Sequence, residues 1–210
     1  VKKSSLPEIK IGRKAIKLNE TDSRLGYART DISALHPSKG TLAVSSHDSI
    51  PSWGAIFIQY KSEISEIKAS GCEDVAINKQ LFKKVTDSTG IKWVAADSMT
   101  VGDVIQVNIT IETKRDMDYV VITDDRGACF EPVEQLPSPI FSEGICFYRE
   151  NRDASTNIFV NHLPKGTYRL SYELNVNNAG VYSAGVATLQ SQYAPAMTAH
   201  SSGSIITVGR

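Results

Sequence analysis

The sequence predicts an all-β protein built from antiparallel β-sandwiches, and three observations carry that prediction. Apolar and polar residues alternate strictly in the second half: Ile105, Val107, Ile109 and Ile111 with Gln106, Asn108, Thr110 and Glu112, then Tyr168, Leu170, Tyr172, Leu174 and Val176 with Arg169, Ser171, Glu173 and Asn175. A period of two places each apolar set on one strand face and each polar set on the other, so one face packs and one is wet. Turn chemistry separates the segments: Val101-Gly102-Asp103, Pro164-Lys165-Gly166 and Asn177-Asn178-Ala179-Gly180. No stretch sustains a helical apolar period, so crossover helices and a parallel sheet are not expected.

Taken in order, residues 9–11, 15–18, 26–32, 41–45 and 53–60 read as strands. Asn19-Glu20-Thr21-Asp22 and His36-Pro37-Ser38-Lys39-Gly40 read as turns between them. Residues 61–68 have weak helical character, and Ala69-Ser70-Gly71 is the best linker candidate. Further strands are expected at 92–95, 119–123, 145–149, 157–160, 185–192 and 205–208. Two domains follow, over 1–70 and 71–210. The first is of a size at which a single core is marginal. Trp53 and Trp93 sit in strand patterns and are expected to fill the two cores.

With 23 Lys+Arg and 23 Asp+Glu the formal net charge is +0, which argues against a nucleic-acid or acidic-membrane partner. The apolar run near Trp53 is far too short to span a bilayer, so no membrane insertion is expected. The chain begins at Val1 rather than Met and shows no signal peptide. It reads as a piece of something longer, so targeting is left open.

The candidate site is the irregular segment Asp124-Asp125-Arg126-Gly127-Ala128-Cys129-Phe130-Glu131-Pro132. Asp124, Glu131, Arg152 and Asp153 can be read as a catalytic acid pair with a positioning arginine. No nucleophile or metal set accompanies them, so the favoured reading is a hydrogen-bonded, salt-bridged loop junction that includes Arg126. Cys129 and Cys146 could be bridged, which would add about 3 kcal/mol in the chain-entropy model; two buried free thiols are the other reading. Neither cysteine is in a Cys-x-x-Cys pair, the four histidines are scattered, and Asp116 and Asp118 lack a calcium loop. No catalytic residue, metal or cofactor is therefore assigned. Ser201-Ser202-Gly203-Ser204 lacks the context of a nucleophile elbow. Tyr193 is a candidate loop ring for a partner, with a packed tyrosine as the plainer role.

The order of motifs resembles the C-terminal, receptor-binding-like macroglobulin domain of bacterial α2-macroglobulin-like proteins. The segment from Asp124 to Pro132 is similar to that family's aspartate-led turn. Arg149-Glu150-Asn151-Arg152-Asp153 is similar to its strand end, and Leu163-Pro164-Lys165-Gly166-Thr167-Tyr168 to its strand entry. Gly180 with Tyr182, then Gln192-Tyr193-Ala194-Pro195, are similar to its closing segments; Ala196 stands where the family usually carries glutamate. Trp53-Gly54-Ala55-Ile56-Phe57 resembles the end of the preceding domain.

The resemblance implies the second half of a split CUB-like sandwich, then a complete macroglobulin sandwich of immunoglobulin-like architecture. A half sandwich should leave an apolar face or sheet edge uncovered. The resemblance also implies a non-enzymatic scaffold in a protease-trapping protein of the bacterial periplasm or envelope, lipid-anchored if its upstream region carries an anchor. Neighbouring domains would be its direct partners, at Tyr193 and Pro195 among other residues, and target proteases its partners through the whole protein. A thioester needs Cys-x-Glu-Gln, which neither Cys129-Phe130-Glu131-Pro132 nor Cys72-Glu73-Asp74 supplies. A surface adhesion or carbohydrate-binding sandwich is the alternative; it would need an aromatic row on an exposed sheet face or a calcium site.

Overall fold

The structure is a computed structural model that describes residues 6–18, 20–22, 27–32, 41–47, 53–57 and 61–210. The chain forms two compact units, Val1–Gln59 and Tyr60–Arg210.

The first unit contains β1 (Glu8–Ile11), β2 (Lys14–Ile16), β3 (Glu20–Asp22), β4 (Tyr27–Ala28) and β5 (Leu42–Ser45). A three-stranded antiparallel sheet runs β2-β1-β5, and β3 pairs with β4. Ile9 lies opposite both Ile16 and Val44, and Ile11 opposite Leu42. These five apolar residues therefore share one sheet face, yet none of the described residues of this unit is buried. Two expectations change here. Glu20–Asp22 is a strand rather than a turn, because β4 gives its main chain a partner. Residues 53–57 are irregular, and Trp53 is exposed rather than filling a core; Phe57 is exposed as well. The turn at His36–Gly40 lies outside the described residues, as do Asn19, Gly26 and residues 58–60.

The second unit begins with a 3₁₀ turn at Ile64–Glu66, then β6 (Ser70–Gly71), β7 (Val75–Asp87), β8 (Gly90–Ala95), β9 (Met99–Thr100) and β10 (Val104–Thr113). There follow β11 (Met117–Asp125), β12 (Phe130–Pro132), β13 (Ser138–Ser142), β14 (Ile145–Asn151) and β15 (Ser155–Leu163). The last strands are β16 (Gly166–Val176), β17 (Gly180–Ser183), β18 (Ala187–Ser191), β19 (Thr198–His200) and β20 (Ile205–Gly209). Two antiparallel sheets dominate, one of order β12-β16-β10-β7-β8 and one of order β13-β14-β15-β11-β18-β19-β6. A small third sheet, β17-β20-β9, contains a parallel pair, β20 with β9. The fold class is thus all-β, as the alternation predicts.

The core lies between the inner faces. In the β10–β16 register Ile105 faces Leu174, Val107 faces Tyr172, Ile109 faces Leu170 and Ile111 faces Tyr168, all buried. Val120, Ile122, Phe147, Ile158, Val160 and Leu189 supply the buried residues of the other sheet. Each such side chain contributes about 1.5–3 kcal/mol on burial. Ser70 and Gly71 are not a linker but an edge strand, paired with His200 and Ala199. Trp93 is only half-buried on edge strand β8, with the Lys84 ammonium 5.6 Å from its ring centre.

Because β11 and β12 belong to different sheets, residues 126–129 carry the chain across the sandwich. Gly185 makes that crossing possible: its φ is +74° and a Cβ would lie 2.0 Å from the Asp125 carbonyl oxygen. Gly144 also has a positive φ, +79°, but open space around it. We expect Gly185→Ala to destabilise the unit by about 3 kcal/mol and Gly144→Ala by about 1 kcal/mol. Urea midpoints of the two variants at constant m-value check this; equal shifts would contradict it.

Candidate functional site: a buried polar bridge between the sheets

The irregular turn is organised around Asp124, the last inward-facing residue of β11. It is fully buried, and Lys79 of β7 lies 2.6 Å from its Oδ1 with a side chain only 5% exposed. The same ammonium donates to the Asp125 carbonyl at 2.7 Å and the Ala184 carbonyl at 2.8 Å. Two carbonyls and the carboxylate thus surround the ammonium. Tyr172 of β16 donates its hydroxyl to Asp124 Oδ2 at 2.5 Å. One carboxylate of the seven-stranded sheet is thus held by two strands of the five-stranded sheet.

Burial pushes the Asp124 carboxyl above its usual range, while the Lys79 charge, its contact and the Tyr172 bond pull it back and the neighbouring Asp125 adds to the push. Burial, then the Asp124 charge and hydrogen bond, push the Tyr172 phenol well above its ordinary value. Tyr172 is therefore a permanent neutral donor to this carboxylate.

A second ring of contacts fixes the crossing segment. Arg126 donates Nη1 to Thr156 Oγ1 at 3.0 Å, and Nη2 to the carbonyls of Arg152 and, at 3.2 Å, Asp153. The Arg126 main-chain N–H donates to the Ala154 carbonyl at 3.0 Å. The guanidinium therefore clamps the β14–β15 turn. Buried Thr156 donates to Asn151 Oδ1 at 2.8 Å, and Asn151 Nδ2 donates to the Glu134 carbonyl at 2.7 Å. The Glu134 carboxylate pairs with buried Arg149, whose guanidinium lies 6.0 Å from the Tyr172 ring centre.

The structure thus brings Asp124, Arg126 and the main chain of Arg152 and Asp153 into one region. It does not bring in Glu131, which is exposed on β12 with its main chain opposite Asn175. The Arg152 side chain points to Glu150, at 2.8 Å, rather than to an acidic partner in the turn. The Cys129–Cys146 bridge does not form; both are free thiols. Cys129 is in the core, where burial pushes its thiol up. Cys146 falls between buried Ile145 and Phe147 on β14, so the period of two turns it to the outer face.

Lys79 was not legible as a site residue, although it is in phase with the inward-facing Val75, Ile77 and Leu81 of β7. A lysine at an in-phase apolar position was the available signal. Elsewhere, Asp116 Oδ1 accepts the Lys165 N–H at 2.8 Å and Asp118 Oδ1 meets His162 Nδ1 at 2.7 Å, so the two carboxylates serve separate partners. The Ser201 hydroxyl accepts the Ala187 N–H at 3.0 Å. Tyr193 is exposed and meets Tyr119 edge-to-face, with centroids 5.2 Å apart; Pro195 is also exposed. Tyr168 donates to the Pro164 carbonyl at 2.9 Å and Tyr182 to the Ala179 carbonyl at 3.0 Å, each closing its own turn.

The crossing turn of this two-sheet sandwich is thus held by a buried ion pair and by hydrogen bonds to the main chain of neighbouring loops. The sequence profile of the bacterial alpha-2-macroglobulin MG10 domain matches residues 75–196, more than half of the chain. The chain belongs to the bacterial alpha-2-macroglobulin family. Among solved structures, Salmonella alpha-2-macroglobulin reacted with methylamine aligns with a TM-score of 0.54 at 20% identity, over 68% of this chain and 10% of that one. Escherichia coli alpha-2-macroglobulin activated by porcine elastase aligns at 0.55 and 17% identity, over 68% and 14%. The native E. coli protein from domain MG7 to the C-terminus aligns at 0.54 and 17% identity, over 68% and 24%. The aligned part thus spans about a tenth of the Salmonella protein's length. No curated protein sequence matches the chain.

Removing the Tyr172 hydroxyl leaves a buried carboxylate short of one donor, so Tyr172→Phe should cost about 2 kcal/mol. Tyr182→Phe, which removes a bond near the surface, should cost under about 1 kcal/mol. Chemical denaturation of the two variants is the check, and a neutral Tyr172→Phe would refute the bridge.

Proposed function

We propose that this chain is the non-catalytic C-terminal scaffold and docking part of a bacterial α2-macroglobulin-like protease-trapping protein, an endopeptidase inhibitor. In this reading the first unit is the second half of a CUB-like sandwich and the second unit, from Tyr60, the receptor-binding-like macroglobulin sandwich. The observation that carries it is the family match over residues 75–196. It is supported by relatives described as activated by trypsin and by porcine elastase. The apolar face formed by Ile9, Ile11, Ile16, Leu42 and Val44, with Leu42 and Val44 exposed and the isoleucines half-buried, fits half of a sandwich.

A trap needs modules that hold their shape while their mutual contacts change. The Lys79–Asp124–Tyr172 bridge suits such a module, because it locks the two sheets to each other. Neighbouring domains of the parent are the direct partners, with exposed Tyr193 and Pro195 among the contacts, and target proteases meet the whole protein. The setting is the bacterial periplasm or envelope, with any lipid anchor upstream. Among the described residues no helix is long and apolar enough to cross a membrane.

The carbohydrate-binding alternative has one observation in its favour, exposed rings on the outer sheet face. Tyr148 and Phe159 are neighbours there, but their planes are inclined by 40°, which does not form a flat platform for a sugar ring. The trapping proposal predicts that the isolated chain inhibits no protease, while the parent changes its radius of gyration in solution scattering after limited cleavage by an endopeptidase. An unchanged radius after cleavage would overturn it.

A further inference from the structure

The outer face of the seven-stranded sheet departs from the alternation expected of a solvated face. In β14, β15 and β11 the segments Cys146-Phe147-Tyr148, Ile158-Phe159-Val160 and Val120-Val121-Ile122 are apolar on both faces. That is the pattern of strands covered on both sides. The registers align the outward residues: Tyr148 lies opposite Phe159, and Phe159 opposite Val121. One step along, Phe141 lies opposite Cys146. Phe141 is 77% exposed, Tyr148 43% and Phe159 36%, and Cys146 is exposed beside them. None of these five residues is charged. On one flank Val121 faces Gln190, and Gln190 faces Thr198, so the patch grades into neutral polar residues. At the other end of β14 the same face carries Glu150, paired with Arg152 at 2.8 Å, and an aromatic centre inside a polar margin is the composition of an interface core with its rim.

We infer that this face docks against another domain of the same polypeptide, one that presents an uncharged apolar surface. The inference rests on the proposed place of the chain in a longer trap and names a surface through which it works. Size selects the occupant. At about 200 Å² per aromatic side chain, the three rings leave roughly 300 Å² open, well below the roughly 800 Å² per partner of a stable complex between separate proteins. A tethered domain needs less, because the linkage raises its effective concentration to about millimolar. The aligned Salmonella relative is about ten times as long as the part shared with this chain, which leaves ample polypeptide for such a partner.

Cys146 reports on the face directly. Maleimide labelling followed by peptide mapping reads it separately from Cys72 and Cys129. In the chain alone Cys146 should label at a rate independent of protein concentration. In the full-length parent the rate should fall more than threefold, and Phe141→Ser with Phe159→Ser in the parent should restore it. A parent rate within threefold of the chain's overturns the inference. So does a rate in the chain that falls with concentration, which would mean a second copy, or on adding a soluble peptidoglycan digest, which would mean a glycan. Persistent slowing in the double variant also overturns it, since something other than these rings would then cover the thiol. Scattering reads the trap separately: an open face with a parent whose radius changes on cleavage sinks only the docking face, and a covered face with an unchanged radius sinks only the trap.

Discussion

A lysine ammonium buried to 5% exposure must have every N–H group accepted, because a lone buried charge is worth several kcal/mol of penalty. Lys79 answers that demand with hydrogen bonds to the carbonyls of Asp125 and Ala184 and an ion pair with the Asp124 carboxylate. Much of the second unit follows from this one requirement. It holds β7 against the end of β11, the point where the chain leaves one sheet for the other. It draws the segment at Ala184 onto the Asp125 carbonyl so closely that only glycine fits at 185. Tyr172 completes the carboxylate from the opposite sheet, and Arg126 ties the crossing turn to the β14–β15 loop.

The arrangement commits Asp124, Lys79 and Tyr172 to one another. The Asp124 carboxylate is fully buried, and the Tyr172 phenol is pushed far from ionisation by burial and by the carboxylate it serves. Polar groups committed to one another in this way specify a single packing of two sheets.

The sequence made the centre of the sandwich legible because β10 and β16 obey one rule throughout: inward residues are apolar and outward ones polar. The rest was hidden for identifiable reasons. Strand β7, the longest, was missed because Lys79 interrupts its apolar phase, so the residue most important to the turn also concealed the strand that carries it. Ser70 and Gly71 look like a linker by composition, yet their backbone pairs with β19. The turn from Asp124 was flagged by its composition, but Glu131 lies only seven residues on and already belongs to the other sheet. Cys129 and Cys146 are close in sequence but the strand period sends them to opposite environments. The aromatic outer face went unread because segments apolar on both faces give no alternation.

The central claim, that the Lys79–Asp124 pair joins the sheets as one unit, is tested most directly by a double-mutant cycle on unfolding free energy with Lys79→Met, Asp124→Leu and the combination. Each single variant strands a buried charge and should lose about 3–5 kcal/mol, while the double variant should recover much of it, giving a coupling above about 2 kcal/mol. Strictly additive losses, with coupling within about 0.5 kcal/mol, would show that the two side chains do not act together and would contradict the account.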